Sequence, residues 1–178
     1  IEVRLGATWI SPEYIQQFMY ETFETPYYNR RSIQVHYSTI TAEWEISSKT
    51  SVSKDDVAAY TTYGTDRANA YRLLENALNL RDIRIYDTVE DPDGKERRVL
   101  NSKETTLAAQ KQQAIRDAFK DWIWRDPERR QTLVRQYNEE MNSTRPREYD
   151  GSHITFGGMN PEITLREHQL GAIAHILY

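Results

Sequence analysis

The sequence lacks several features that would define a function directly. It contains no cysteine among its 178 residues, which excludes disulfide bonds, thiolate zinc sites and cysteine nucleophiles. It has no apolar run near the roughly 20 residues that a helix needs to cross a bilayer. These absences fit a reducing compartment, and we expect a soluble cytoplasmic protein with no membrane partner.

Catalytic constellations are also missing. His168 and His175 are seven residues apart, so on one helix they would lie ~10 Å apart along the axis, too far for one metal ion. Gly157 and Gly158 are not followed by the Lys-Ser/Thr pair of a phosphate-binding loop. We therefore predict no catalytic residue and no metal site, and an independent enzyme has no residue pattern in its favour.

The ends of the sequence resemble internal boundaries. The chain begins at Ile1 instead of Met, and the apolar run Leu165–Tyr178 is not followed by a helix-stop signal. We expect an excised piece of a longer protein.

The first half of the chain predicts a mixture of helices and hairpins. Hydrophobic residues make up 38%, with four Trp and twelve Tyr, which is enough to form a core. Ser11-Pro12-Glu13 reads as a helix cap and first turn. Residues 33–37 and 42–46 alternate with period two, which predicts an antiparallel pair, and a second helix is expected over 66–79. Asp91-Pro92-Asp93-Gly94 is a strong turn signal between two further strands.

The second half predicts helices followed by a linker. Asn101 and Glu104 mark the start of a long helix, and Pro127 ends it and starts the next. The expected core stripe of the long helix comprises Leu107, Ile115, Ala118, Phe119, Trp122 and Ile123. The predicted class is α+β, with two small antiparallel hairpins packed with helices and a long helical arm. The predicted domains are 1–141, a linker over 142–163, and a final helical segment over 164–178.

Charge is distributed unevenly along the chain. Residues 1–94 have nine Lys/Arg against fifteen Asp/Glu (−6), residues 95–147 thirteen against eight (+5), and residues 148–178 one against four (−3). Clustered cations can displace counterions from phosphates, which makes the middle third a candidate DNA surface. The candidate phosphate contacts are Arg129, Arg130, Arg145 and Arg147, with Trp124 or Tyr149 available to stack. The alternative is that these helices are simply well solvated.

Four stretches carry a resemblance to a known family. Leu165-Arg166-Glu167-His168-Gln169, followed by an apolar helix, is similar to the stretch upstream of the Walker A loop in superfamily-two helicases of the Swi/Snf-like kind. Arg4–Ile10, Tyr63–Tyr71 and Asn142–His153 resemble large bacterial proteins of phages and integrative conjugative elements. Those proteins join an adenine-specific DNA methylase to a Swi/Snf-like helicase, and the resemblance places this chain between the two.

The resemblance implies a role beside a motor. Gln169 would contact the adenine of ATP in the full protein, and residues 164–178 would begin the ATPase lobe. ATP with magnesium and S-adenosylmethionine are implied for the longer parent protein, and no cofactor is expected in the present 178-residue chain. The expected function is an accessory DNA-engaging and coupling domain in bacterial cytoplasm, with DNA and the neighbouring methylase and helicase domains as partners. The alternative is a structural module that docks methylase to helicase without contacting DNA.

Overall fold

The structure is a computed structural model that describes residues 2–142 and 149–177. It divides into two compact units, Ile1–Val134 and Arg135–Tyr178, which are described separately. The elements are α1 (Pro12–Thr22), β1 (Val35–Ser38), β2 (Glu43–Ile46), α2 (Ala70–Leu78), β3 (Tyr86–Glu90), β4 (Glu96–Leu100), α3 (Ser102–Arg125), α4 (Pro127–Glu140) and α5 (Glu167–Leu177), with a 3-10 turn at Tyr27–Asn29 and a π-helical turn at Ala58–Thr62. The predicted α+β class is confirmed. The predicted domain limits at 141 and 163 stay a prediction.

Helix α1 begins where its capping residues predict. The Ser11 hydroxyl accepts a hydrogen bond from the Glu13 amide at 3.3 Å, and Pro12 occupies the first turn. Its buried side carries Phe18, whose ring centroid lies 5.1 Å from that of Phe119 and 5.6 Å from that of Trp122 in α3. These edge-on aromatic contacts fix α1 against α3 at the centre of the core.

The first hairpin is completed by side chains of α2. Strands β1 and β2 pair antiparallel, with Tyr37 opposite Trp44. The free edge of β2 is covered because Glu75 Oε2 accepts from the Ile46 amide and Asn79 Oδ1 accepts from the Trp44 amide, both at 2.8 Å. The Asn79 Nδ2 also donates to the Trp44 carbonyl at 2.8 Å. A two-stranded sheet is marginal alone, so this edge pairing holds it to the core.

The second hairpin, which we call the β3–β4 ribbon (residues 86–100), has the predicted turn between its strands. The pairing runs from Tyr86 opposite Leu100 to Glu90 opposite Glu96. Every residue of β4 is exposed, so the ribbon leaves the core soon after its base. At that base the Asn101 amide donates to the Ile85 carbonyl at 2.8 Å.

Helix α3 forms one wall of the core. Its buried residues follow helical spacing: Ala108, Gln112, Ile115, Phe119, Trp122 and Ile123. The predicted stripe included Leu107, which is instead 41% exposed because Ala108 takes the inward position at that turn. Buried Gln112 is satisfied, since its Nε2 donates to the Leu73 carbonyl at 3.3 Å and the Arg81 carbonyl at 3.1 Å.

The unit formed by residues 135–178 contains the end of α4 and helix α5. The Tyr149 ring lies 4.5 Å from the His175 ring between centroids. A Cβ added to Gly151 would lie 2.0 Å from the Leu170 carbonyl oxygen, so glycine is needed for this close approach. Across the described residues, none of the helices is long and apolar enough to cross a bilayer.

Candidate nucleic-acid interface

A tightly built loop, residues 64–69, leads into α2. A Cβ added to Gly64 would lie 1.9 Å from the Ala59 carbonyl oxygen, so only glycine fits there. The Thr65 amide donates to the Ala68 carbonyl at 2.8 Å, and the Ala68 amide donates to the Thr65 hydroxyl oxygen at 3.0 Å. The loop is therefore held by its own polar groups and has little freedom to rearrange.

Asn69 anchors the end of this loop on two sides. Its Oδ1 accepts from the Arg72 amide at 3.0 Å and caps α2, while its Nδ2 donates to the Lys49 carbonyl at 2.7 Å. This cap explains why α2 begins at Ala70, four residues after the expected start at Asp66.

Four cations surround a cavity of about 160 Å³ beside this loop. We call Lys49, Lys54, Arg67 and Arg72 the basic cluster, and Asp66 is the acid that lines the same cavity. Lys49, Lys54 and Arg67 lie in loops, whereas Arg72 lies in the first turn of α2. A cavity of this kind suits an anionic group such as a phosphate.

Two members of the cluster have only neutral partners in the described ranges. Lys54 Nζ lies 4.7 Å from the Tyr60 ring centroid and donates to the Asp66 carbonyl at 3.0 Å. Arg72 Nη1 donates to the Arg67 carbonyl at 3.0 Å. No carboxylate within the described residues forms an ion pair with either cation. Their charge is therefore available to an outside anion.

The other two members pair with acids and connect the cluster to its surroundings. Lys49 Nζ lies 2.7 Å from Glu75 Oε2. Arg67 lies 2.7 Å from Asp87 and donates to the Tyr86 carbonyl at 2.7 Å, which ties the loop to the base of the β3–β4 ribbon. The hydrogen bond from Arg67, followed by one from Asn101, holds the pKa of Asp87 below its usual value.

The basic surface continues onto the ribbon. The Arg98 guanidinium carbon lies 4.5 Å from the centroid of the same Tyr86 whose carbonyl accepts from Arg67. Short contacts thus connect four cations. The 64–69 loop accepts hydrogen bonds from Lys54 and Arg72, and Tyr86 contacts both Arg67 and Arg98. Phosphates of an extended polyanion could engage several of them at once.

Arg129 lies inside the fold, which argues against its predicted role as a phosphate contact. The residue is 9% exposed, and its guanidinium carbon lies 3.4 Å from the Trp122 ring centroid. The guanidinium donates to the Trp122 and Ile123 carbonyls near the end of α3. Burial lowers the pKa of Arg129. Through these contacts, Arg129 connects the start of α4 to the end of α3.

The remaining predicted site residues have different surroundings. Arg130 is exposed on α4. Arg145 and Arg147 lie outside the described residues. Gln169 is exposed near the start of α5, where its Oε1 accepts from the Arg166 amide at 3.0 Å and caps the helix. Predicted stacking residue Trp124 is half-buried against the core.

The basic cluster was missed by reasoning from the sequence because its members are spread over residues 49–72, inside the 1–94 segment whose net charge is −6. The one local signal was the segment Gly64-Thr65-Asp66, which has the composition of a tight turn before the capping Asn69. No group of histidine and acidic side chains in the described residues is arranged to hold a metal ion.

Comparison with known proteins identifies a family. The family model of DUF8437, a domain of unknown function, matches residues 4–143, and the chain belongs to this family. No curated protein and no solved structure matches the chain.

Proposed function

We propose that this member of the DUF8437 family is an accessory DNA-engaging and coupling domain that works next to an ATP-dependent motor. The observation that carries the proposal is the basic cluster, in which Lys54 and Arg72 are held at a cavity without an acidic partner in the described ranges. Because Lys54 and Arg72 each donate a hydrogen bond to a carbonyl of the 64–69 loop, at Asp66 and Arg67, they are oriented toward the cavity before a phosphate binds.

The resemblance to methylase–helicase proteins supports the motor half of this proposal. In the parent protein, ATP with magnesium and S-adenosylmethionine would be bound by the flanking domains, and Gln169 would contact adenine. Exposed Arg130, together with Arg145 and Arg147, would add phosphate contacts along the duplex. The chain itself would position DNA and transmit that contact to the motor.

The proposal is tested by duplex binding measured as fluorescence anisotropy over a series of salt concentrations. The wild-type chain should bind at low salt, with affinity falling steeply as salt rises. Lys54→Gln and Arg72→Gln should each weaken binding and lower the slope of log affinity against log salt by about 1. Exposed Arg84 and Lys103 lie outside the cluster, so Arg84→Gln and Lys103→Gln serve as matched charge controls.

Two results would contradict the proposal. If the wild-type chain does not bind duplex at low salt, the DNA-engaging role is wrong. If the control variants reduce the slope as much as Lys54→Gln does, the binding depends on total charge and the basic cluster is not its site.

The β3–β4 ribbon favours a second candidate, a protein-docking module without DNA contact. Val89 and Val99 share one face of the ribbon and are 43% and 39% exposed. The ribbon has five acidic and three basic residues, so its net charge of −2 disfavours entry into a DNA groove. Replacing both valines with threonine in the full-length protein should lower DNA-stimulated ATP hydrolysis while the DNA affinity of the full-length protein stays unchanged. Unchanged hydrolysis in this double variant would contradict the docking role.

A further inference from the structure

A second basic cavity lies on a different part of the 1–134 unit. This cleft of about 290 Å³ is bounded by the N-terminal segment, the end of α2 and the outer side of α3, and it is lined by Glu2, Arg4, Leu5, Ala77, Leu80, Gln113, Arg116 and Lys120. Gly6, at φ +88°, brings the N-terminal segment over α2, because a Cβ there would lie 2.4 Å from the Leu78 carbonyl oxygen. The wall of the cleft is therefore set by a close backbone approach.

Cations outnumber acids around this cleft. Arg4, Arg116 and Lys120 line it, and Glu2 is the one acid in the lining. Asp82 faces Arg116 at 3.7 Å, but its side chain is 90% exposed, whereas that of Arg116 is 32% exposed. A pair of this length at the surface contributes little. Arg116 is thus the most enclosed cation of the cleft and has only a weak partner.

Glu2 shows where an anion sits in this cleft. One carboxylate oxygen of Glu2 lies 2.9 Å from Arg4 and the other lies 4.0 Å from Lys120, so the carboxylate bridges two cations from different segments. Since both partners of Glu2 are more than half exposed, the bridge is weak and can be displaced by a competing anion.

We propose that this cleft binds a small phosphate monoester, whose phosphate replaces the Glu2 carboxylate between Arg4 and Lys120 and also reaches Arg116. A phosphate near neutral pH has a larger charge than a carboxylate and three acceptor oxygens, so it matches three cations better than Glu2 does. The apolar side chains of Leu5, Ala77 and Leu80 would receive the organic part of the ester. The volume is close to the lower limit of small-ligand pockets, about 300 Å³, which favours a compact ligand.

Equilibrium binding of phenyl phosphate and of inorganic phosphate to the chain at low salt tests the proposal. Phenyl phosphate should bind saturably and more tightly than inorganic phosphate. Arg116→Gln should weaken phenyl phosphate binding by about two- to fivefold, and Glu2→Gln should strengthen it by a similar factor. Exposed residues away from the cleft provide the controls Lys103→Gln and Glu13→Gln, which should leave binding unchanged. Unchanged binding in Glu2→Gln, or equal weakening by Lys103→Gln and Arg116→Gln, would overturn the proposal.

Binding of duplex DNA to the same variants distinguishes a site for a small phosphate ester from a site for the phosphates of a DNA backbone. If Arg116→Gln weakens duplex binding while phenyl phosphate does not bind, the cleft contacts a DNA backbone and the small-ligand proposal is wrong. The result is independent of the proposed function, because that function is tested through Lys54 and Arg72, which do not line this cleft.

Discussion

Replacing Arg129 with alanine would remove the guanidinium that joins α4 to the end of α3. The side chain donates to two backbone carbonyls and covers the Trp122 ring while it is almost fully buried. Hydrogen bonds from a charged donor contribute about 1.5–3 kcal/mol each and a desolvated cation over a ring about 2 kcal/mol, and these contributions are not additive. We expect Arg129→Ala to lower the free energy of unfolding by about 3 kcal/mol, or the melting temperature by about 6–12 °C.

Urea unfolding followed by tryptophan fluorescence is the suitable assay. All four tryptophans lie in the 1–134 unit, so the signal reports the unit that contains Arg129. Arg129→Lys keeps the charge but loses the fork of donors, so it should cost about half as much as Arg129→Ala. Exposed Arg130→Ala should change stability by less than about 0.5 kcal/mol. Arg129 does not join α4 to α3 in this way if Arg129→Ala is as stable as Arg130→Ala, or if Arg129→Lys folds normally and instead loses DNA affinity.

Two further predictions concern the core around the basic cluster. Gly64→Ala should destabilise the unit by more than about 3 kcal/mol, because its methyl group would overlap the Ala59 carbonyl oxygen; a urea midpoint equal to the wild-type value would contradict this. Burial raises the pKa of Tyr71 to about 12, above its usual value of 10.0, so the folded state favours the neutral phenol. The stability that this provides is complete below pH ~10 and is lost as pH rises toward ~12, by about 2–3 kcal/mol. In Tyr71→Phe, this part of the alkaline decline should disappear, and an identical pH profile in both proteins would be evidence against it. At neutral pH, Tyr71→Phe should cost about 1 kcal/mol, because buried Thr25 loses its 2.7 Å hydrogen bond.

Features encoded in neighbouring residues were predicted well. Ser11 caps α1, Asn101 caps α3, and Pro127 separates α3 from α4, all as the local patterns indicate. The α2 start was placed too early because the periodic apolar pattern extends back through Ala68, whereas the Asn69 cap ends the helical geometry. At a helix end, the capping side chain and the apolar periodicity can indicate different start residues, and the start of α2 is set by the Asn69 cap.

Features that depend on distant contacts were not predictable in this way. In the sequence, Arg129 and Arg130 are adjacent cations that no local pattern distinguishes. Arg129 is buried because it packs against Trp122, whereas Arg130 is exposed. Lys54 and Arg72 line the same cavity because a π-helical turn and a glycine-dependent loop fold back between them. No local sequence pattern indicates this arrangement. The outward position of the β3–β4 ribbon likewise follows from where the core ends.

That ribbon has a consequence for amide hydrogen exchange. At its base, Asn101 and Arg67 donate hydrogen bonds to the backbone carbonyls of Ile85 and Tyr86. Beyond the base, β4 is exposed, and its backbone pairs with β3. Amides near the turn should therefore exchange through local opening, whereas those around Phe119 in α3 exchange only when the whole unit unfolds. A partner that covers the ribbon would slow amide exchange at residues 86–100 alone. Hydrogen exchange at these amides would therefore show whether a partner is bound, with no added label.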